Sequence, residues 1–197
     1  MADDDAVTDD AAEDEAVDES ETVAASETVD EPTPEVEPRN GVPVTWSCGQ
    51  QVLHPSRDEL TTVVRTLRDD DAFGMCLGVC GVDYLTYDAD RGLPDGIDPE
   101  RFEVVVILMS HAKRERIRLR TQVPEGDPTL PSLFDVHPGS EAMEREAFDL
   151  FGIAFEGHPD LTRILMPEDW EGHPLRKDEA IGRIPVQFKA ADRKDAR

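Results

Sequence analysis

Residues 101–123 read RFEVVVILMS, then HAKRE, then RIRLRTQV. The first run is β-branched and continuously apolar, and the last alternates basic or polar with apolar or hydroxyl side chains. Side chains of these types suit a pleated, half-buried surface, and alternation sends every second one to the same face. The two runs therefore predict neighbouring strands joined by a short polar connection. Arg114, Arg116, Arg118 and Arg120 fall at alternate positions, so the same reading projects all four from one sheet face. That row is read either as a solvent face paired with acids across the sheet or as an acidic docking surface. Nucleic acid is disfavoured, because no aromatic interleaves with the arginines to stack bases.

Upstream, PSRDELTTVVRTLRDDD carries capping-box spacing at Ser56 and Glu59, and Leu60, Val63, Val64 and Leu67 recur at helical intervals. An amphipathic helix is expected there. GMCLGVCGVDYLTY, Gly74 to Tyr87, is short and apolar and predicts a mostly buried strand, followed by the turn-rich loop DADRGLPDGIDPE. Downstream, a proline-broken segment holds one short expected strand near Ser132 to Val136. Ser140 then caps a second helix, EAMEREAFDLF, whose Met143, Ala147, Leu150 and Phe151 share a face and whose Gly152 sits where a left-handed cap belongs. The pattern predicts an α+β fold in two layers, with both helices on one side of the sheet.

The formal charge of −25 is uneven: residues 1–40 hold sixteen acids and one base, Arg39. Without a Leu, Ile or aromatic they cannot bury enough apolar surface to offset ordering, and they predict a disordered acidic tail. The sequence thus divides into a tail over 1–40, an α+β domain over 41–154, and an arm over 155–197. No apolar run is long enough to span a bilayer, and the start lacks the basic and apolar regions of a signal peptide. The three cysteines, Cys48, Cys76 and Cys80, fit a reducing compartment. A cytoplasmic protein, held at a membrane only through partners, is expected.

The arm opens with FEGHPDLTRILMPEDWEGHPLRKD, Phe155 to Asp178, and keeps no helical or strand period because prolines interrupt it repeatedly. Ile153, Phe155, Leu161, Ile164, Leu165, Trp170, Leu175, Ile181, Ile184, Val186 and Phe188 make it too apolar to lie free. It is expected to stay ordered only against another polypeptide, with Arg163, Arg176 and Lys177 beside Trp170 as interface anchors. His137, His158 and His173 with the cysteines could supply a stand-alone metal site, but zinc-ligand spacing is missing. Cys76 and Cys80, four apart in one strand, would share a face about 13 Å apart. Each His-Pro is instead read as a rigid turn whose imidazole caps a carbonyl or a partner carboxylate. Glu144, Glu146 and Asp149 are read as a solvated or salt-bridged helix face rather than as an acid–base pair.

EREAFDLFGIAFEGHPDLTRILMPEDWEGHPLRKD, Glu144 to Asp178, closely resembles the signature of the thirty-kilodalton subunit family of respiratory complex I, the C-type subunits of bacterial NADH-quinone oxidoreductase. GVDYL at Gly81 and RFEVVVILMS at Arg101 extend the resemblance, and GRIPVQFK, Gly182 to Lys189, looks like the tail of actinobacterial members. The resemblance implies a mixed sheet and a structural subunit with no cofactor of its own. FMN, iron–sulfur clusters and quinone would sit on other chains of a proton-translocating NADH:quinone oxidoreductase. It implies a peripheral position at the cytoplasmic face of the cell membrane. The arm would wrap chiefly the large quinone-site (D-type) subunit, near the cluster-bearing B-type and I-type subunits. The equivalent subunit of a membrane-bound hydrogenase or F420H2 dehydrogenase is the alternative. The signature positions are Glu144, Arg145, Glu146, Asp149, Gly152, His158, Pro159, Asp160, Arg163, Ile164, Leu165, Asp169, Trp170, Gly172, His173, Pro174, Leu175, Arg176, Lys177 and Asp178. Thr162, Glu179 and the stretch HPGSEAM depart from the usual family pattern.

Overall fold

The computed structural model describes residues 37–179, so most of the acidic tail, and Ile181, Ile184, Val186 and Phe188 of the arm, lie outside the described residues. In chain order the elements are β1 (Val44–Ser47), β2 (Gln50–Leu53), α1 (Arg57–Asp69), β3 (Met75–Asp83), β4 (Phe102–Ser110), β5 (Glu115–Val123), β6 (Thr129–Pro131), α2 (Glu141–Phe151) and β7 (Ala154–Glu156). A 3-10 turn, Pro138–Ser140, leads into α2.

The expected hairpin is present: β4 and β5 pair antiparallel from Phe102 opposite Val123 to Ser110 opposite Glu115. Five strands form a mixed sheet in the order β1-β2-β5-β4-β3, with β2 parallel to β5 and the other neighbours antiparallel. One face carries Phe102, Val104, Val106, Leu108, Ile117, Leu119 and Val123, all buried. Against it lie Leu60, Val63, Val64 and Leu67 of α1 and Ala147 of α2 in the same apolar cluster. Each such side chain contributes about 1.5–3 kcal/mol on full burial, so this layer carries most of the stability. The α1 boundary was legible because Ser56 and Glu59 close the capping box, and the bond from Ser56 holds the Glu59 carboxyl below its ordinary range. Helix α2 lies over β3, where Gly81 matters: an added Cβ would meet the Phe151 ring at 2.7 Å.

Several expectations are corrected. Strand β3 is not mostly buried: it is a sheet edge, and Met75, Leu77 and Cys80 are exposed. Its register slips at Cys76/Gly78, so Cys76 faces Leu108 and Cys80 faces Val105, on opposite faces of the sheet rather than one. Arg114 stands in the turn with φ +56, outside β5, which leaves three strand arginines instead of four. The short strand lies at Thr129–Pro131 and pairs parallel with β7, a strand that crosses the 154/155 junction. Ser140 ends the 3-10 turn and makes no cap bond; its Oγ donates instead to Glu144. The β1–β2 hairpin was missed, although Cys48-Gly49 between two four-residue runs signals a two-residue turn, and both residues take positive φ.

Candidate functional site

The last four carbonyls of an α-helix lack partners within it. In α2 the Phe148 oxygen accepts the Gly152 N–H at 2.9 Å, and the arm supplies the rest. Asp149 O accepts His173 Nδ1 at 3.0 Å and Arg163 Nη1 at 3.2 Å, Leu150 O accepts the Leu175 N–H at 3.1 Å, and Phe151 O accepts Arg176 Nε at 2.6 Å. At the other end of α2, His158 Nε2 donates to Glu141 O at 3.1 Å while its Nδ1 accepts the Asp160 N–H. The doubled Gly-His-Pro therefore has a geometric meaning. Gly157 and Gly172 take φ +84 and +86, and the following imidazoles grip opposite ends of one helix.

Asp149 is the centre of this clasp. Its side chain is fully buried, Oδ1 takes Arg163 Nη1 at 2.6 Å, and Oδ2 takes the N–H groups of Ile164, Leu165 and Met166 at 3.1, 2.7 and 2.8 Å. Burial alone would push its carboxyl up, but the three amides and the guanidinium outweigh it and hold the pKa down at about 2. Arg163 reaches on to Gly172 O at 3.0 Å, and Arg145 binds Thr162 O, Thr162 Oγ1 and Arg163 O, so the departure at Thr162 is occupied internally. With its amides turned inward, the 164–166 turn sends side chains out: Ile164 is 41% and Leu165 57% exposed, and Leu175 further along the arm is 46% exposed.

A second anchor fixes the arm's end. Asp83, buried at the end of β3, takes Arg101 at 3.0 Å, the Leu85 N–H and the Lys177 N–H at 2.9 Å, and Arg101 also binds Asp178 at 2.7 Å and Glu125. Arg101 and Arg176 both stand over the Phe102 ring, 4.8 and 5.1 Å from its centroid. Asp83 and Arg101 were missed in the sequence; the available signal was an acid inside the apolar strand pattern of GVDYL.

The signature residues thus divide. Glu144, Arg145, Asp149, Gly152, His158, Arg163, His173 and Arg176 build the clasp or its frame. Glu144 is buried and accepts Ser132 Oγ, Ser140 Oγ and the Leu133 N–H, which corrects the reading of it as solvated or salt-bridged; Asp149 is salt-bridged, to Arg163, but buried, and Glu146 alone of the three is exposed. Pro159, Asp160, Asp169, Leu175, Lys177 and Asp178 are exposed, Pro174 is half-buried, and half-buried Trp170 closes a turn onto Pro167 O. The arm through Glu179 is held by its own chain, contrary to the expectation that only another polypeptide would order it. Arg163 and Arg176 already have internal partners.

Gly152 is the hinge of this arrangement. Its φ is +71, and a Cβ there would come within 2.5 Å of His173 Nε2 and 2.6 Å of Arg176 Nη2. Gly152→Ala is expected to cost about 2 kcal/mol, from left-handed strain and displaced caps together, read as a lowered urea midpoint.

The family pattern for the respiratory-chain NADH dehydrogenase 30 kDa subunit matches residues 53–183. The C-type subunit of NADH-quinone oxidoreductase from Salinispora arenicola is 47% identical over 146 residues, covering 73% of this chain and 56% of that protein. Its counterpart from Nocardia farcinica is 48% identical over 145 residues, covering 73% and 53%. The chain therefore spans little more than half the length of these curated relatives. A trypsin-resistant fragment of Nqo5, residues 1–134, superposes with a TM-score of 0.53 at 36% identity, covering 61% of this chain and 90% of the fragment. A chain of the membrane-bound sulfane sulfur reductase, an archaeal respiratory membrane complex, shares the fold with a TM-score of 0.60 at 21% identity, covering 79% and 88%. Sequence pattern and fold coincide, and the chain belongs to the respiratory-chain NADH dehydrogenase 30 kDa subunit family.

Proposed function

We propose that this chain is a structural subunit of the peripheral arm of a proton-translocating NADH:quinone oxidoreductase, carrying no cofactor itself. In this reading it supports electron transfer from NADH to quinone by fixing the relative positions of subunits that hold FMN, iron–sulfur clusters and the quinone site. It sits at the cytoplasmic face of the cell membrane through those partners, docking chiefly on the large quinone-site subunit, near the B-type and I-type subunits.

The observation that carries the reading is the outward turn at Ile164 and Leu165. Four hydrogen bonds to one buried carboxylate hold a short segment in place, and that segment exposes the apolar side chains of Ile164 and Leu165. A pre-ordered apolar knob loses little entropy on docking, which is the economy expected of a permanent interface. The two arm imidazoles serve opposite ends of α2 and do not converge on one ion, so a site built on the His-Pro pairs gains no support.

Ile164→Asp with Leu165→Asp tests the proposal. Both positions are exposed, so the unfolding free energy of the full chain is expected to change by only about 0.5 kcal/mol. Co-purification of the tagged chain with an NADH-oxidising assembly is expected to fall about tenfold or more. Undiminished co-purification would remove the arm from the interface.

A further inference from the structure

The sheet face opposite the helices presents two stripes. Val105, Ile107 and Met109 of β4 form a half-buried apolar stripe, joined at the edge by Cys80 and Val82 of β3. Beside it run Arg116, Arg118 and Arg120 of β5, opposite Met109, Ile107 and Val105 in register. Of these, Arg120 is neutralised by Glu103 at 2.7 and 3.0 Å. Among the described residues Arg118 reaches only neutral oxygens, Gln50 Oε1 at 3.3 Å and Ser47 O at 3.4 Å. Arg116 is exposed and has no ion pair among the described residues. The basic stripe continues past the strand end into a cleft of about 460 Å³ whose lining includes Arg39, Trp46, Arg114 and Arg116. Here Arg39 is paired with Asp71, whereas Arg114 has no ion pair among the described residues.

A solvent face needs neither feature: it would pair its arginines and break up its apolar stripe. In a chain of net charge −25, a row of positive charge in which Arg114, Arg116 and Arg118 have no carboxylate partner among the described residues is a local inversion of the overall field. We infer that this face is a second docking surface, for an acidic amphipathic segment of a partner polypeptide. Its apolar side chains would cover Val105, Ile107 and Met109, and its carboxylates would meet Arg116, Arg118 and Arg114. The inference rests on the reading of the chain as an assembling subunit, but on a face distinct from the arm. Guanidinium forks match carboxylates bidentately, which favours acidic side chains over neutral ones.

The test places p-benzoylphenylalanine at Ile107 in the full chain within its native membranes, with Leu165 as the parallel site on the arm. On irradiation Ile107 is expected to link to a stretch of another polypeptide in which apolar residues are interspersed with Asp or Glu. Arg116→Glu with Arg118→Glu is expected to lower that product about tenfold or more while the Leu165 product persists. The milder Arg116→Gln with Arg118→Gln pair, checked for an unchanged melting temperature, should lower it in the same direction. A Leu165 product without an Ile107 product overturns this inference alone. Absence of both overturns the subunit reading as well. Linkage of Ile107 to lipid, to a basic stretch, to this chain or to a second copy, or a product indifferent to charge reversal, also overturns it.

Discussion

Asp149→Leu is expected to destabilise the full chain by about 3–5 kcal/mol, the range for breaking a buried ion pair by removing one partner. The leucine would leave Arg163, whose side chain is 16% exposed, without its carboxylate, and three backbone N–H groups without an acceptor. In urea the midpoint would fall by roughly 2 M, taking a slope of about 2 kcal/mol per M. Amide exchange at Ile164, Leu165 and Met166 should accelerate more than exchange in β4 and β5, because the clasp opens before the sheet does. Equal acceleration everywhere would mean that the arm adds nothing local.

The same carboxylate gives a signed pH dependence. Its folded pKa of about 2 lies below the ordinary value of 3.8, so the stabilisation is fully present above pH 4 and is lost as pH falls towards 2. The expected size is about 2 kcal/mol across that window. Asp149→Asn, which keeps the shape and discards the titration, should show a correspondingly flatter acid limb in chemical denaturation between pH 4 and 2. An unchanged limb would place the acid sensitivity elsewhere.

What the sequence disclosed and what it hid follow from range. Periodicity and capping are local, and α1, the β4–β5 hairpin and the Gly152 cap were readable because Ser56, Glu59, Val104 and their neighbours declare their partners within a few residues. The His158-Pro159 and His173-Pro174 turns were readable as caps too, since a proline-stiffened imidazole has few other uses, but His137 does not follow them: its Nε2 is buried with no hydrogen-bond partner among the described residues. What they cap, the two ends of α2, depends on contacts up to 24 residues away. For the same reason Asp149 stood undecided between a solvated carboxylate and a buried pair: its partners arrive from a segment with no period. The arm's apolar residues suggested a missing partner, yet Leu161 packs on the core and Arg163 and Arg176 find partners within the chain. Only Ile164, Leu165 and Leu175 stay uncovered among them as strongly exposed side chains in the described residues. The bulge that turns Cys76 and Cys80 to opposite faces follows the edge position of β3, which composition does not encode.

Arg101→Met tests the other anchor and carries an equally large expected effect, about 3–5 kcal/mol. Methionine keeps the apolar stem over Phe102 but strands Asp83, whose side chain is fully buried. Burial pushes the Asp83 carboxyl up; in the intact chain Arg101 and the Lys177 and Leu85 amides more than compensate and hold it below 3.8. The ion-pair stabilisation is therefore present above pH 4 and fades as pH falls below it, so the gap between Arg101→Met and the parent should narrow on acidification. Asp83→Asn on the Arg101→Met background should recover part of the loss, because the amide removes the uncompensated charge while retaining an acceptor for Lys177. If the double variant were as unstable as the sum of the two single ones, Asp83 and Arg101 would be acting independently. The arm's hold on the end of β3 would then rest on the separate bond from Arg101 to Asp178 and on the Lys177 N–H to Asp83.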